Sequence, residues 1–106
     1  MQKYLSIYLT TPAARSYFSA TNVSGVDMPT VGTIKIWYHD GGSCTLTLSD
    51  NMAANDNTGV NYIMGLIATA QGQSWTNVTT EVSTPLGGGT VDAAGAAITI
   101  ASAAIA

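Results

Sequence analysis

His39, Asp40 and Cys44 stand together in one short segment, where a thiol beside an imidazole would permit nucleophilic catalysis with Cys44 as nucleophile and His39 as base. The neighbouring residue types favour a structural role. Asp40 opens an Asp-Gly-Gly-Ser turn, and His39 falls in a solvent-facing set with Lys35 and Trp37. Cys44 alternates with Leu46 and Leu48, a position at which an unpaired cysteine behaves as a small apolar side chain. The sequence is therefore read as non-enzymatic, with no catalytic residues.

Metal and phosphate chemistry find no better footing. Asp50-Asn51 and Asp56-Asn57 are rich in oxygen ligands, but neither has the spacing of a calcium loop, and both suit turns and helix caps. Gly87-Gly88-Gly89 does not join a strand to a helix, as a phosphate cradle would, and reads as a linker. No cofactor and no metal are expected. Asn22-Val23-Ser24 and Asn77-Val78-Thr79 match the glycosylation pattern, yet the alternating start Met1 to Thr10 is unlike a secretion leader, so both matches are taken as chance.

Charge is scarce. The chain has three Lys or Arg and six Asp or Glu, 8% of its residues, for a net charge of -3, against roughly 25% charged residues in ordinary soluble domains. Lys3, Arg15 and Lys35 are too few and too scattered to displace counterions from phosphates, so DNA and RNA are excluded as main ligands. The stretch from Ala93 to Ala106 is too short and alanine-rich to span a bilayer, and a protein made in a cytoplasm without a membrane partner is expected. Interface cores are depleted of charge, so the composition suits a homo-oligomer with a substantial permanent interface, a trimer being one candidate state. Cys44, the sole cysteine, cannot form an internal disulfide, which leaves packing and partners to stabilise a small domain.

The elements that would position these residues are mostly strands. Leu5, Ile7 and Leu9 alternate with Tyr4, Ser6, Tyr8 and Thr10. A break at Thr11 to Ala14 precedes a second strand between Tyr17 and Val26. Thr33–His39 and Cys44–Ser49 flank the turn as a hairpin, with Ile34, Ile36, Tyr38, Leu46 and Leu48 on its core face. Val60, Ile63, Met64, Ile67 and Ala70 have helical spacing and predict a helix from Gly59 to Gln71, capped by Asn57 or Thr58, favoured by Asp56 and ended by a left-handed Gly72. The internal Gly65 predicts a close approach to the sheet. Trp75–Val82 returns to β character, and Ala96–Ala101 makes a last strand. The predicted fold is α+β: an antiparallel sheet of about four to six strands with one amphipathic helix on one face. Residues 1–85 form the domain, and residues 86–106 form a Gly/Ala-rich C-terminal arm or final strand, in which Ile98, Ile100 and Ile105 are the apolar anchors.

Aromatic residues mark the candidate contact surface. Trp37 faces away from Ile34 and Ile36, Tyr4 and Tyr8 share a strand face, and His39 lies beside the turn. The candidate interface set is Tyr4, Tyr8, Trp37, His39, Ile98, Ile100 and Ile105.

The hairpin Thr33-Ile34-Lys35-Ile36-Trp37-Tyr38 with Gly41-Gly42, the amphipathic helix, and Gln73-Ser74-Trp75-Thr76-Asn77-Val78 follow an order similar to that of small virion-associated proteins of tailed phages of marine bacteria. Those proteins also begin with a Met-x-Lys-Tyr-Leu-like strand. The resemblance covers residues 1–10 and 33–82 and offers no catalytic residues. It implies a virion structural protein, such as a capsid decoration or other accessory subunit in contact with the major capsid protein or another virion protein, and localisation to the virion. The alternative is a receptor- or glycan-binding module of a phage tail or fibre, with Trp37, Tyr38 and His39 as an aromatic platform.

Overall fold

The computed structural model describes residues 2–10, 13–73 and 78–106. Within them the fold is α+β, and its seven strands divide between two sheets. The first sheet contains β1 (Tyr4–Thr10), β2 (Ala13–Ser19) and β6 (Thr79–Glu81), in the order β2-β1-β6. The second contains β3 (Val23–Asp27), β4 (Thr33–Tyr38), β5 (Ser43–Leu48) and β7 (Ile100–Ile105), in the order β3-β4-β5-β7. The helix, α1 (Thr58–Gly72), packs against β1, β3 and β6. Pairing is antiparallel except between β1 and β6, which run parallel.

Period-two alternation explains why the sheets face each other. Leu5, Ile7 and Leu9 turn inward from β1, and Ile34, Ile36, Cys44, Leu46 and Leu48 turn inward from the β4–β5 hairpin. Ile63 and Ile67 of α1 join the same core, together with Met52, Val82, Leu86, Ile98 and Ile100 from the connections and β7. The hairpin closes as its residues dictate. Gly41 adopts φ +92, the Gly41 N–H donates to the Tyr38 carbonyl at 3.1 Å, and the Asp40 carboxylate accepts the Gly42 N–H at 2.8 Å.

Several boundaries differ from the sequence-based expectation. The second strand is two, β2 and β3, separated at Asn22, which adopts φ +65 and turns the chain from one sheet into the other. Ala13 and Ala14, expected to lie in a break, belong to β2, while Thr11 and Pro12 lie outside the described residues. Of the expected strand from Trp75 to Val82, residues 79–81 form β6 and residues 75–77 lie outside the described ones.

The helix starts where its spacing predicts but ends differently. Gly72 remains helical, and the chain leaves through Gln73 in an extended conformation, its N–H donating to the Ala70 carbonyl. Asn57 occupies the cap position without a side-chain cap bond. Asp56 supplies the acceptor instead, taking the Thr58 N–H at 3.0 Å and its hydroxyl at 2.8 Å, bonds that hold the Asp56 carboxyl below the usual carboxylate range. Only the stripe Gly59, Ile63, Ile67 and Ala70 is buried, so Met64 stays 48% exposed. Nor does Gly65 approach the sheet: a methyl group there would meet open space. Gly59 makes the close approach, its Cβ position lying 3.1 Å from Ile34 Cδ1 and 3.2 Å from Met52 Sδ.

The last strand begins later than expected. A turn in which the Asp92 N–H donates to the Ala96 carbonyl, and the Leu86 N–H donates to the Ile98 carbonyl, uses the residues before Ile100, so β7 pairs with β5 over Ile100–Ile105. Gly87 and Gly88 lie against the Tyr62 ring of α1, where an added Cβ would come within 3.0 Å of it. No helix among the described residues is long and apolar enough to cross a membrane.

Candidate functional site

Because Leu5, Ile7 and Leu9 point into the core, Tyr4, Ser6, Tyr8 and Thr10 occupy the outer face of β1. Register fixes their neighbours. Tyr4 sits opposite Ser19, Ser6 opposite Tyr17, and Tyr8 opposite Arg15 on β2, while Ser6 faces Glu81 on β6. The outer face of the first sheet thus gathers Tyr4, Tyr8 and Tyr17 around an Arg15–Glu81 ion pair of 3.3 Å. The Arg15 guanidinium also donates to the Ser6 hydroxyl at 2.9 Å. Tyr17 is the most open of the three rings, at 59% exposure. Tyr, Ser and Arg on a rigid strand pair combine large contact area with low side-chain entropy and planar hydrogen bonding, a composition typical of protein-binding surfaces.

The outer face of the second sheet is different. Register aligns Gly25, Trp37 and Ser43 across it, then Asp27, Lys35, Thr45 and Ala104, then Thr33, Thr47 and Ser102. Trp37 is 38% exposed, and the Lys35 ammonium lies over its ring at 4.2 Å from the centroid. The ring is therefore neither under the helix nor in the core, and the cation covers part of one face of it.

The remaining candidate residues separate. Tyr38 turns toward the first sheet, where its hydroxyl donates to the Ser19 carbonyl at 2.7 Å. Burial, followed by the nearby Cys44 and Asp40, pushes its pKa up to about 12. A flat platform of Trp37, Tyr38 and His39 is not formed, because strand alternation sends Tyr38 to the face opposite Trp37. His39 is exposed beside the turn and its N–H donates to the Asn22 carbonyl. Cys44 is fully buried on the inner face, and burial pushes its thiol up to about 11. At neutral pH it is a protonated, inaccessible thiol, the opposite of an activated nucleophile. Among the described residues no three His, Cys, Asp or Glu side chains gather as a metal site.

Ile98 and Ile100 are buried in the chain's own core, so their side chains are not open to a partner. Ile105 is 67% exposed and lines a cleft of about 420 Å³ with Tyr17, Phe18 and Tyr38. Arg15 and Tyr17 belong to the same outer face as Tyr4 and Tyr8, and sequence reasoning did not place them among the candidate interface residues. Their signal was the alternation of Ala13, Arg15, Tyr17 and Ser19 against Ala14, Ser16 and Phe18, which the preceding Pro12 and the alanines obscured. No known family model, curated protein or solved structure matches this chain.

Proposed function

We propose that this chain is a non-enzymatic structural subunit of a larger protein assembly, of the capsid decoration or particle accessory type. The observation that supports it most directly is the outer face of the first sheet, where Tyr4, Tyr8 and Tyr17 surround one ion pair on a rigid strand pair. A chain with 8% charged residues has little else to keep such rings apart from neighbouring proteins. The burial of Cys44 and the separation of His39 from it support a role that needs no nucleophile. The virion assignment comes from the resemblance of residues 1–10 and 33–82 to phage accessory proteins.

The test is protein mass spectrometry on purified particles from a phage that encodes the chain. The reading expects at least tens of copies per particle. Absence from the particles would overturn the virion assignment.

A further inference from the structure

Each sheet has two edges, and three of the four carry features that discourage further pairing. β6 is only three residues long, β3 has a bulge between Val23 and Gly25 with α1 packed against it, and β7 has a register shift opposite Thr47 and Leu48. β2 is the exception among the described residues. It runs seven residues in unbroken register with β1, without a proline between Ala13 and Ser19, and Arg15 is its only charge.

The hydrogen bonding of β1 shows which groups of β2 face outward. The Tyr4 N–H donates to the Val78 carbonyl and the Ser6 carbonyl accepts the Val82 N–H, so Tyr4, Ser6 and Tyr8 direct their backbone groups toward β6. By alternation Leu5, Ile7 and Leu9 bond to their register partners Phe18, Ser16 and Ala14. Ala13, Arg15 and Tyr17 therefore direct their N–H and C=O groups to the open edge.

We infer that β2 is a self-association edge, where two copies of this chain pair antiparallel about a two-fold axis at Ser16 to form one continuous six-stranded sheet. This inference rests on the reading of the chain as an assembly subunit and identifies a second copy as a partner. Charge and register select the alignment. Outward-bonding residues must face one another, which leaves a few alignments. One that sets Arg15 opposite Arg15 places like charges directly across the junction and is unfavourable. The alignment centred on Ser16 pairs residues 14–18 of the two copies, sets Arg15 opposite Tyr17 of the second copy, and leaves outside the ladder Ser19, whose carbonyl already accepts the Tyr38 hydroxyl at 2.7 Å. Each guanidinium then lies between its own Tyr8 and the facing Tyr17, with Glu81 already bonded to it. On the inner side Ala14 faces Phe18, small against large. Such a contact is isologous and closes at two copies, so a larger ring would need a second surface.

At the centre, Ser16 faces Ser16 in a non-hydrogen-bonded pair, where Cα atoms approach to about 4.5 Å and a disulfide is within reach. The test uses the full chain carrying Cys44→Ala, so that the only thiol is the introduced one. With mild copper-phenanthroline oxidation, Ser16→Cys is expected to form a covalent dimer, and Ala14→Cys, which faces Phe18, is expected to remain largely uncrosslinked. Tyr17→Lys puts lysine opposite arginine at an exposed position. Sedimentation should show its dimer dissociation constant raised at least about tenfold with circular dichroism unchanged. An oligomeric parent chain with no Ser16→Cys crosslink and no Tyr17→Lys effect overturns the edge contact and leaves the assembly reading standing. A parent chain that stays monomeric at high concentration also overturns the contact. The assembly reading stands or falls separately, on the copy number in particles.

Discussion

The two sheets share one core but present different exteriors and edges. The first carries Tyr4, Tyr8 and Tyr17 around Arg15 and Glu81, beside the edge of β2, which pairs with no second strand among the described residues. The second carries threonines with Trp37 lying under Lys35, and its edges are interrupted by bulges. Inner faces are interchangeable in chemistry because both need only aliphatic side chains of fitting volume. Outer faces are free to diverge: one gathers tyrosines around an ion pair, the other threonines around a tryptophan covered by a lysine.

Both sheets contribute to one core and should unfold as one unit, which Leu46→Ala tests with the largest expected effect. Leu46 is fully buried at the centre of β5, and its truncation is expected to lower stability by about 2–5 kcal/mol. In urea, tryptophan fluorescence and far-ultraviolet circular dichroism should report one coincident transition in the parent and the variant. Two separated transitions would break the picture of a shared core.

The helix supplies the next test, since it contacts strands of both sheets. Gly59→Ala would push a methyl group to 3.1 Å from Ile34 Cδ1 and 3.2 Å from Met52 Sδ, both deeply buried, and is expected to destabilise by about 1–3 kcal/mol despite the better helix propensity of alanine. Gly65→Ala meets nothing and should stabilise by about 1 kcal/mol. Thermal melts of the two variants should therefore move in opposite directions.

Tyr38→Phe removes the hydroxyl that links β4 to Ser19 at the end of β2, and a loss of about 1 kcal/mol is expected by chemical denaturation. Its pH dependence sharpens the point. Tyr38 is raised from 10.0 to about 12 and Cys44 from 9.0 to about 11, so the folded protein holds these protons more tightly than the unfolded chain. Their contributions are fully present below the unfolded values and are lost as pH rises, from about 9 to 11 for Cys44 and from about 10 to 12 for Tyr38. Stability measured against pH should fall through this alkaline window. Cys44→Ala should delay the onset toward pH 10, and an unchanged onset would contradict the burial of the thiol.

The smallest effect on stability belongs to the open edge. Tyr17→Lys should change the unfolding free energy by no more than about 0.5 kcal/mol, because the ring is 59% exposed, while changing association. A large loss of stability would mean that Tyr17 packs within its own subunit.

Alternation determined much of this protein from sequence alone. Leu5, Ile7 and Leu9, the hairpin core of Ile34, Ile36, Leu46 and Leu48, and the outward Tyr4, Tyr8 and Trp37 follow from a side-chain period of two, which is local. The helix followed from the spacing of Ile63, Ile67 and Ala70 for the same reason. Tertiary structure decided what depends on distant partners. Met64 had helical spacing but stays half exposed, and the glycine pressed against the core was Gly59 rather than Gly65, because the path of Ile34 and Met52 lies outside the helix. Ile100 became core through pairing of β7 with β5, a contact between residues more than fifty positions apart, and Ile98 through the turn in which its carbonyl accepts the Leu86 N–H. Arg15 and Tyr17 joined Tyr4 and Tyr8 because register with β1 brought them there, and register is set by which faces must be buried together across the whole core.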